Sequence, residues 1–75
     1  MKIIPIKPNV TLLVIYNTEI LFSYQIPVAA CIDGTYYKTS MTHSVTTSKH
    51  INQWLGKVDF TLKPQSFFND LGKDN

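Results

Sequence analysis

Arginine is absent from this chain. All seven basic residues are lysines set against five acids, for a formal net charge of +2. Arginine is the side chain that forks onto phosphate or guanine, and a weak positive charge offers few cations to hold a polyanion. Nucleic acid is therefore the second choice of ligand. There is one cysteine, Cys31, so no internal disulfide can form. That removes the covalent staples of small secreted domains and fits a reducing cytoplasm. Charged residues make up only 16%, so Thr, Ser, Asn, Gln and Tyr must cover much of the surface, which favours a chain that works with a partner.

Catalytic signatures are missing as well. The sequence has no Gly-rich phosphate loop, paired-carboxylate signature or nucleophile elbow, and its acids are scattered from Glu19 to Asp74. Cys31 lies in an apolar run, where a thiol is a small core residue rather than a nucleophile. His43 and His50 stand seven apart, outside the clustered spacing of a zinc site. A protein without catalytic residues, metal or cofactor is expected. Met1-Lys2-Ile3-Ile4-Pro5 lacks the order of a signal peptide, and the apolar stretch from Val10 to Ile32 is interrupted by Asn17, Glu19, Ser23, Gln25 and Pro27. It does not read as a bilayer span.

What is present is globular: 44% apolar and 12% aromatic residues in 75, a length that hides roughly 60% of its unfolded surface. One domain over residues 1–75 is expected, with 1–8 and 73–75 loosely ordered. Residues 2–6, bounded by Pro5 and Pro8, suit an edge strand. The β-branched run Val10 to Tyr16 reads as a central strand, and residues 19–32 as further strand with a bulge or edge at Pro27. Asp33-Gly34 suits a type I′ turn, which pairs 35–42 back as a hairpin. The period then changes: Thr46, Thr47 and Ser48 are N-cap types, and Ile51, Trp54 and Leu55 share a helical face. Gly56 and Lys57 close that helix, over 47–55. Residues 58–62 form a short strand, and a last helix over 65–71 follows Pro64 and stops at Gly72.

The polar run from Ser44 to Asn52 sets hydroxyls, Lys49 and His50 around a helix start, where free amides favour an anion. Thr46, Thr47 and Ser48 are thus candidates for an anion site as well as for a cap, while Lys49, His50 and Gln53 form a polar helix surface. Trp54 is the plug that seals helix against sheet. Tyr36 and Tyr37 are consecutive in a strand, so one faces the helix and the other points outward. Outward tyrosines on a lysine-poor sheet suit a protein partner. Tyr24, Tyr36, Tyr37, Lys49, His50 and Gln53 are the candidate contacts.

Two stretches, Ser23-Tyr24-Gln25-Ile26-Pro27-Val28-Ala29 with Asp33-Gly34, and Ser44-Val45-Thr46-Thr47-Ser48-Lys49-His50-Ile51-Asn52, resemble a family of small proteins of unknown function encoded in bacteriophage and mobile-element genomes. The departures are His43, where that family carries an aromatic, and Ile26, where it carries Thr. The resemblance implies a short phage protein that binds and blocks a host protein in the host cytoplasm.

The sequence therefore predicts an α+β domain, a small antiparallel sheet of four to five strands packed on one central helix, with a short C-terminal helix covering an end. Its expected role is a non-catalytic protein-binding module that inhibits or modulates a host protein. An exposed edge strand also allows homodimers by strand pairing. The alternative is a nucleic-acid module in which Lys38, Lys49 and Lys57 meet phosphates.

Overall fold

Five strands form an antiparallel meander, joined by two-residue turns: Lys2–Lys7 (β1), Val10–Ile15 (β2), Thr18–Ser23 (β3), Ile26–Ile32 (β4) and Thr35–Thr39 (β5). The chain then crosses over through the helix Val45–Leu55 (α1) and adds Phe60–Lys63 (β6) parallel to β5. A second helix, Gln65–Lys73 (α2), follows. The strand order is the order of the sequence, β1-β2-β3-β4-β5-β6. The computed structural model describes residues 1–73.

Six strands stand where four to five were expected, and the sheet is mixed rather than wholly antiparallel. The extra strand arises because residues 19–32 are two strands. They divide at Tyr24-Gln25, where both residues take left-handed backbone (φ 53° and 71°) without the Asn or Gly that usually marks such a turn. Asp33-Gly34 adopts the same pair of positive angles, 51° and 85°, as its residue types predict. Pro27 lies at a bulge, where the β3–β4 register shifts beside Leu21 and Phe22. The parallel pairing follows from the helical crossover, which returns the chain to the end of the sheet from which β5 started. β2 is second from the edge, not central, and the edge strand expected over residues 2–6 is present as β1.

Helix limits also differ from expectation. α1 begins at Val45, and its N-cap is Ser44, whose Oγ accepts from the Thr47 amide at 3.2 Å. Thr46, Thr47 and Ser48 therefore lie inside the first turn and do not cap it. Gly56 closes the helix with φ 62°, donating to the Asn52 carbonyl at 2.9 Å, while Lys57 falls outside it. α2 runs through Gly72, which does not stop it. Of the tail expected to fray, 74 and 75 lie outside the described residues.

Alternation along the strands assigns the two faces. On the first, Ile4, Val10, Leu12, Val14, Leu21 and Ala29 pack beneath Ile51 and Leu55 of α1. Trp54 seals the flank, its ring edge-on to Tyr36 at 5.7 Å. On the second face, α2 lies across β3 and β4 rather than over an end, and it buries Phe68 completely. Phe67 meets Phe68 edge-on at 5.1 Å and Tyr37 at 5.5 Å. Tyr36 and Tyr37 do point to opposite faces, but the second is covered by α2 and does not project freely. Between the helices, Val28, Ala29 and Ala30 are wholly buried, and their small side chains let both helices approach β4.

The Gln65 amide at the start of α2 uses all its hydrogen-bonding capacity. Its Oε1 accepts from Thr39 Oγ1 at 2.8 Å and from His43 Nε2 at 3.0 Å. Its Nε2 donates to the Pro27 carbonyl at 2.6 Å and to Asn69 Oδ1 at 3.1 Å. Gln65 thus ties α2 to the bulged strand and to the loop before α1. A Gln65→Glu change keeps the shape but replaces two donors with a second acceptor facing the Pro27 oxygen. It is expected to cost about 1–3 kcal/mol in urea unfolding at neutral pH; an unchanged midpoint would remove Gln65 from this role.

Candidate functional site

Four side chains from three segments form a polar chain under α1. Ser44 Oγ donates to Thr47 Oγ1 at 3.2 Å, Thr47 Oγ1 lies 3.1 Å from Ser23 Oγ, and Ser23 Oγ lies 2.9 Å from His50 Nδ1. One direction lets every hydroxyl donate once: Ser44 to Thr47, Thr47 to Ser23, and Ser23 to Nδ1, leaving the imidazole proton on Nε2. The tilted ring of Tyr24 covers His50 at a centroid distance of 5.9 Å. Ser23 and His50 sit at the distance of a nucleophile and its base, yet Ser23 is 1% exposed, and an attacking hydroxyl must reach its substrate. The chain of bonds locks α1 to β3.

His50 therefore corrects the expectation of a polar helix surface, since it turns inward with Thr47 while Lys49 and Gln53 stay in solvent. Ser23 was not singled out from the sequence. The signal was present nonetheless: helical spacing puts Thr47, His50 and Ile51 on one face, and a serine at an inward strand position is a fitting partner. Beside His50 a pocket of about 230 Å³ is lined by Ile6, Lys7, Val10, Gln53 and Trp54. Lys7 Nζ donates to Gln53 Oε1 at 2.5 Å, joining β1 to α1 there.

A larger opening lies on the second face, where α2 leaves the β1–β3 end bare. This shallow groove of about 430 Å³ is lined by Ile3, Asn9, Thr11, Leu13, Phe22, Tyr24 and Gln25. Its floor is apolar, and amides and hydroxyls stand at its margin. Tyr24 sits at the margin in left-handed backbone, its amide donating to the Asn9 carbonyl at 3.0 Å in the neighbouring turn. A bulky residue in that conformation is strained by about 1–3 kcal/mol, so the surrounding contacts hold Tyr24 in place. Of the other candidates, Tyr36 and Tyr37 are half-buried under α1 and α2. Lys38 places Nζ 5.4 Å from the Phe60 ring, and Lys49 and Lys57 are exposed away from the groove.

Cys31 is buried, as its apolar run predicts, and it stands opposite Tyr36 in the β4–β5 ladder. The Cys31 side chain beside it, chiefly through charge, raises the Tyr36 phenol above its ordinary value, with burial, a Cys31 hydrogen bond and Glu19 acting in the same sense. Among the described residues no three His, Cys, Asp or Glu side chains cluster as a metal would need, and no helix is long and apolar enough to cross a membrane.

Two outcomes follow. Ser23→Ala, which strands Thr47 and His50, is expected to cost about 1–3 kcal/mol by denaturant unfolding; a loss no larger than that of an exposed serine would mean the chain of bonds is not a clamp. Because its folded value is raised, Tyr36 contributes stability that is complete below pH of about 10 and declines as pH climbs through the higher folded value. Ultraviolet titration should show one phenol ionising late, absent in Tyr36→Phe and shifted towards ordinary behaviour in Cys31→Ala. A late phenol that persists in Tyr36→Phe would refute the assignment.

Neither among curated proteins nor among solved structures does any relative match the chain. One protein-family model does match, over residues 1–70, that of a family of unknown function, DUF8033. With nearly its whole length covered, the chain belongs to that family.

Proposed function

We propose that this chain is a non-catalytic protein-binding module of phage type, which inhibits or modulates a host protein by receiving apolar side chains of that partner in the groove on the second sheet face. The observation that carries the reading is the groove itself: a sheet face with an apolar floor of Ile3, Leu13 and Phe22, left open beside Tyr24 and lined by no lysine. Tyrosine at the margin and amides around an apolar floor are the composition of a protein interface. Phosphates would meet no cation there, which favours protein over nucleic acid. The phage origin and host partner rest on the motif resemblance, and the cytoplasm is where such a partner would be met.

The test is capture of partners from a bacterial host extract with wild-type protein, Ile3→Asp and Lys49→Ala. Ile3 is exposed in the groove, so its replacement by a charge leaves the core intact. Affinity for the captured protein is expected to fall about tenfold or more in Ile3→Asp, a loss of about 1.4 kcal/mol, and to hold in Lys49→Ala. A partner held equally by Ile3→Asp would exclude the groove. Nucleic-acid binding that collapses with added salt, with no protein retained, would replace this reading by the alternative.

A further inference from the structure

The sheet ends in two edges of different character. β1 carries Pro5, lysines at both ends and a register shift between Pro5 and Lys7, the devices that blunt an edge against pairing. β6 has no proline and no register shift within its span, and of its residues only Lys63, at the end, is charged: its sequence is Phe-Thr-Leu-Lys, with Phe60 and Leu62 exposed by 46% and 57% on the first face. The Lys63 carbonyl accepts from the Ser40 amide at 2.8 Å on the β5 side. Alternation then turns the backbone groups of Thr61 towards β5, and those of Phe60 and Leu62 outward.

We propose that β6 pairs antiparallel with β6 of a second copy of this chain, about a two-fold axis through Thr61. In that register Phe60 stands opposite the partner copy's Leu62 and Leu62 opposite its Phe60. These are hydrogen-bonded pairs, formed by the residues whose N–H and C=O point outward. Thr61 faces its own counterpart in a non-hydrogen-bonded pair. One residue further out, Asp59 faces Lys63, so the flanking charges are complementary on both sides. Apolar pairs on the first face, a threonine pair and two opposite-charge pairs on the second all favour the same register. Shifting the axis to Phe60 or Leu62 opposes Asp59 to Thr61 or Lys63 to Thr61, and loses the charge match. The chain supplies its own partner strand, and the sheet becomes continuous across the axis.

Sedimentation equilibrium of the full chain is expected to show a reversible dimer. Asp59→Lys should weaken dimerisation about tenfold, and Asp59→Lys with Lys63→Asp together should restore it to within about threefold. Because the second change also removes a cation from beside Phe67, cross-linking gives an independent reading. In Thr61→Cys the two thiols fall within disulfide distance across the axis, since non-hydrogen-bonded pairs bring Cα atoms to about 4.5 Å. That variant should form a covalent dimer under mild oxidation, and Asp59→Cys should not. A chain that stays monomeric at millimolar concentration, or a dimer indifferent to Asp59→Lys and cross-linked equally by both cysteines, would overturn the proposal. None of these changes touches the groove, so failure here leaves the partner reading separately testable.

Discussion

Coverage of the sheet is the constraint from which the rest of this structure follows. Six strands spaced about 4.8 Å apart span roughly 24 Å, and a helix with its side chains is only about 10–12 Å wide. One helix can therefore cover two or three strands of a face. With one helix on each side, α1 centres on β2–β4 on the first face, with Ile4 of β1 at its margin, and α2 lies over β3 and β4 on the second. Each face keeps a bare end, and the bare ends are diagonal: β1, β2 and the Phe22 end of β3 on the second face, β6 on the first. Where the helices overlap, at Val28-Ala29-Ala30, the chain is buried on both sides. Small residues there are a requirement of packing.

Placement of the helices is set by polar contacts more than by apolar area, because an apolar stripe can slide across a sheet at little cost. Two hydrogen-bonded clusters supply the missing specificity. Ser23, Thr47 and His50 fix α1 against β3, and Gln65 fixes α2 to the bulge at Pro27. Breaking either cluster leaves buried polar atoms without partners, which is costly away from water. The bulge has its own part, since the carbonyl that Gln65 takes up belongs to Pro27, beside the register shift. Together these contacts decide which side chains of the sheet remain uncovered. Tyr24 belongs to both arrangements, with its ring over His50 and its strained backbone at the margin of the groove.

Much of the local structure is legible in the sequence. Asp33-Gly34, the apolar face of Ile51, Trp54 and Leu55, the Gly56 stop and the buried Cys31 follow from residue type and spacing. The turn at Tyr24-Gln25 is not legible, because neither residue favours left-handed backbone and the conformation is imposed by the strands and by the Asn9 contact. The same holds for the cap: Thr46, Thr47 and Ser48 are all suitable types, yet Ser44 caps the helix and Thr47 instead bonds Ser23 beneath it. His50 looks like a surface residue until its serine is found 27 positions away. Long-range pairing of this kind leaves no local trace in composition or period. Parallel addition of β6 is equally hidden, for a short alternating strand carries no mark of its direction.

The diagonal arrangement separates the two bare regions so that each can be occupied without obstructing the other. A sheet joined at β6 would keep both grooves on its second face, at its outermost ends. Counting strands at about 4.8 Å, the two β1 edges would lie roughly 50 Å apart before twist is considered. A monomeric partner would then bind each groove independently, with no gain from the pairing. A partner that is itself dimeric or repetitive on that scale would bind with avidity, because the second contact becomes intramolecular once the first has formed. For so small a groove, whose single-site affinity is bounded by the few side chains it can receive, that difference would decide whether the complex persists. The blunted β1 edge is consistent with such a division: a strand bordering the groove that also invited pairing would have its neighbourhood covered by the next copy.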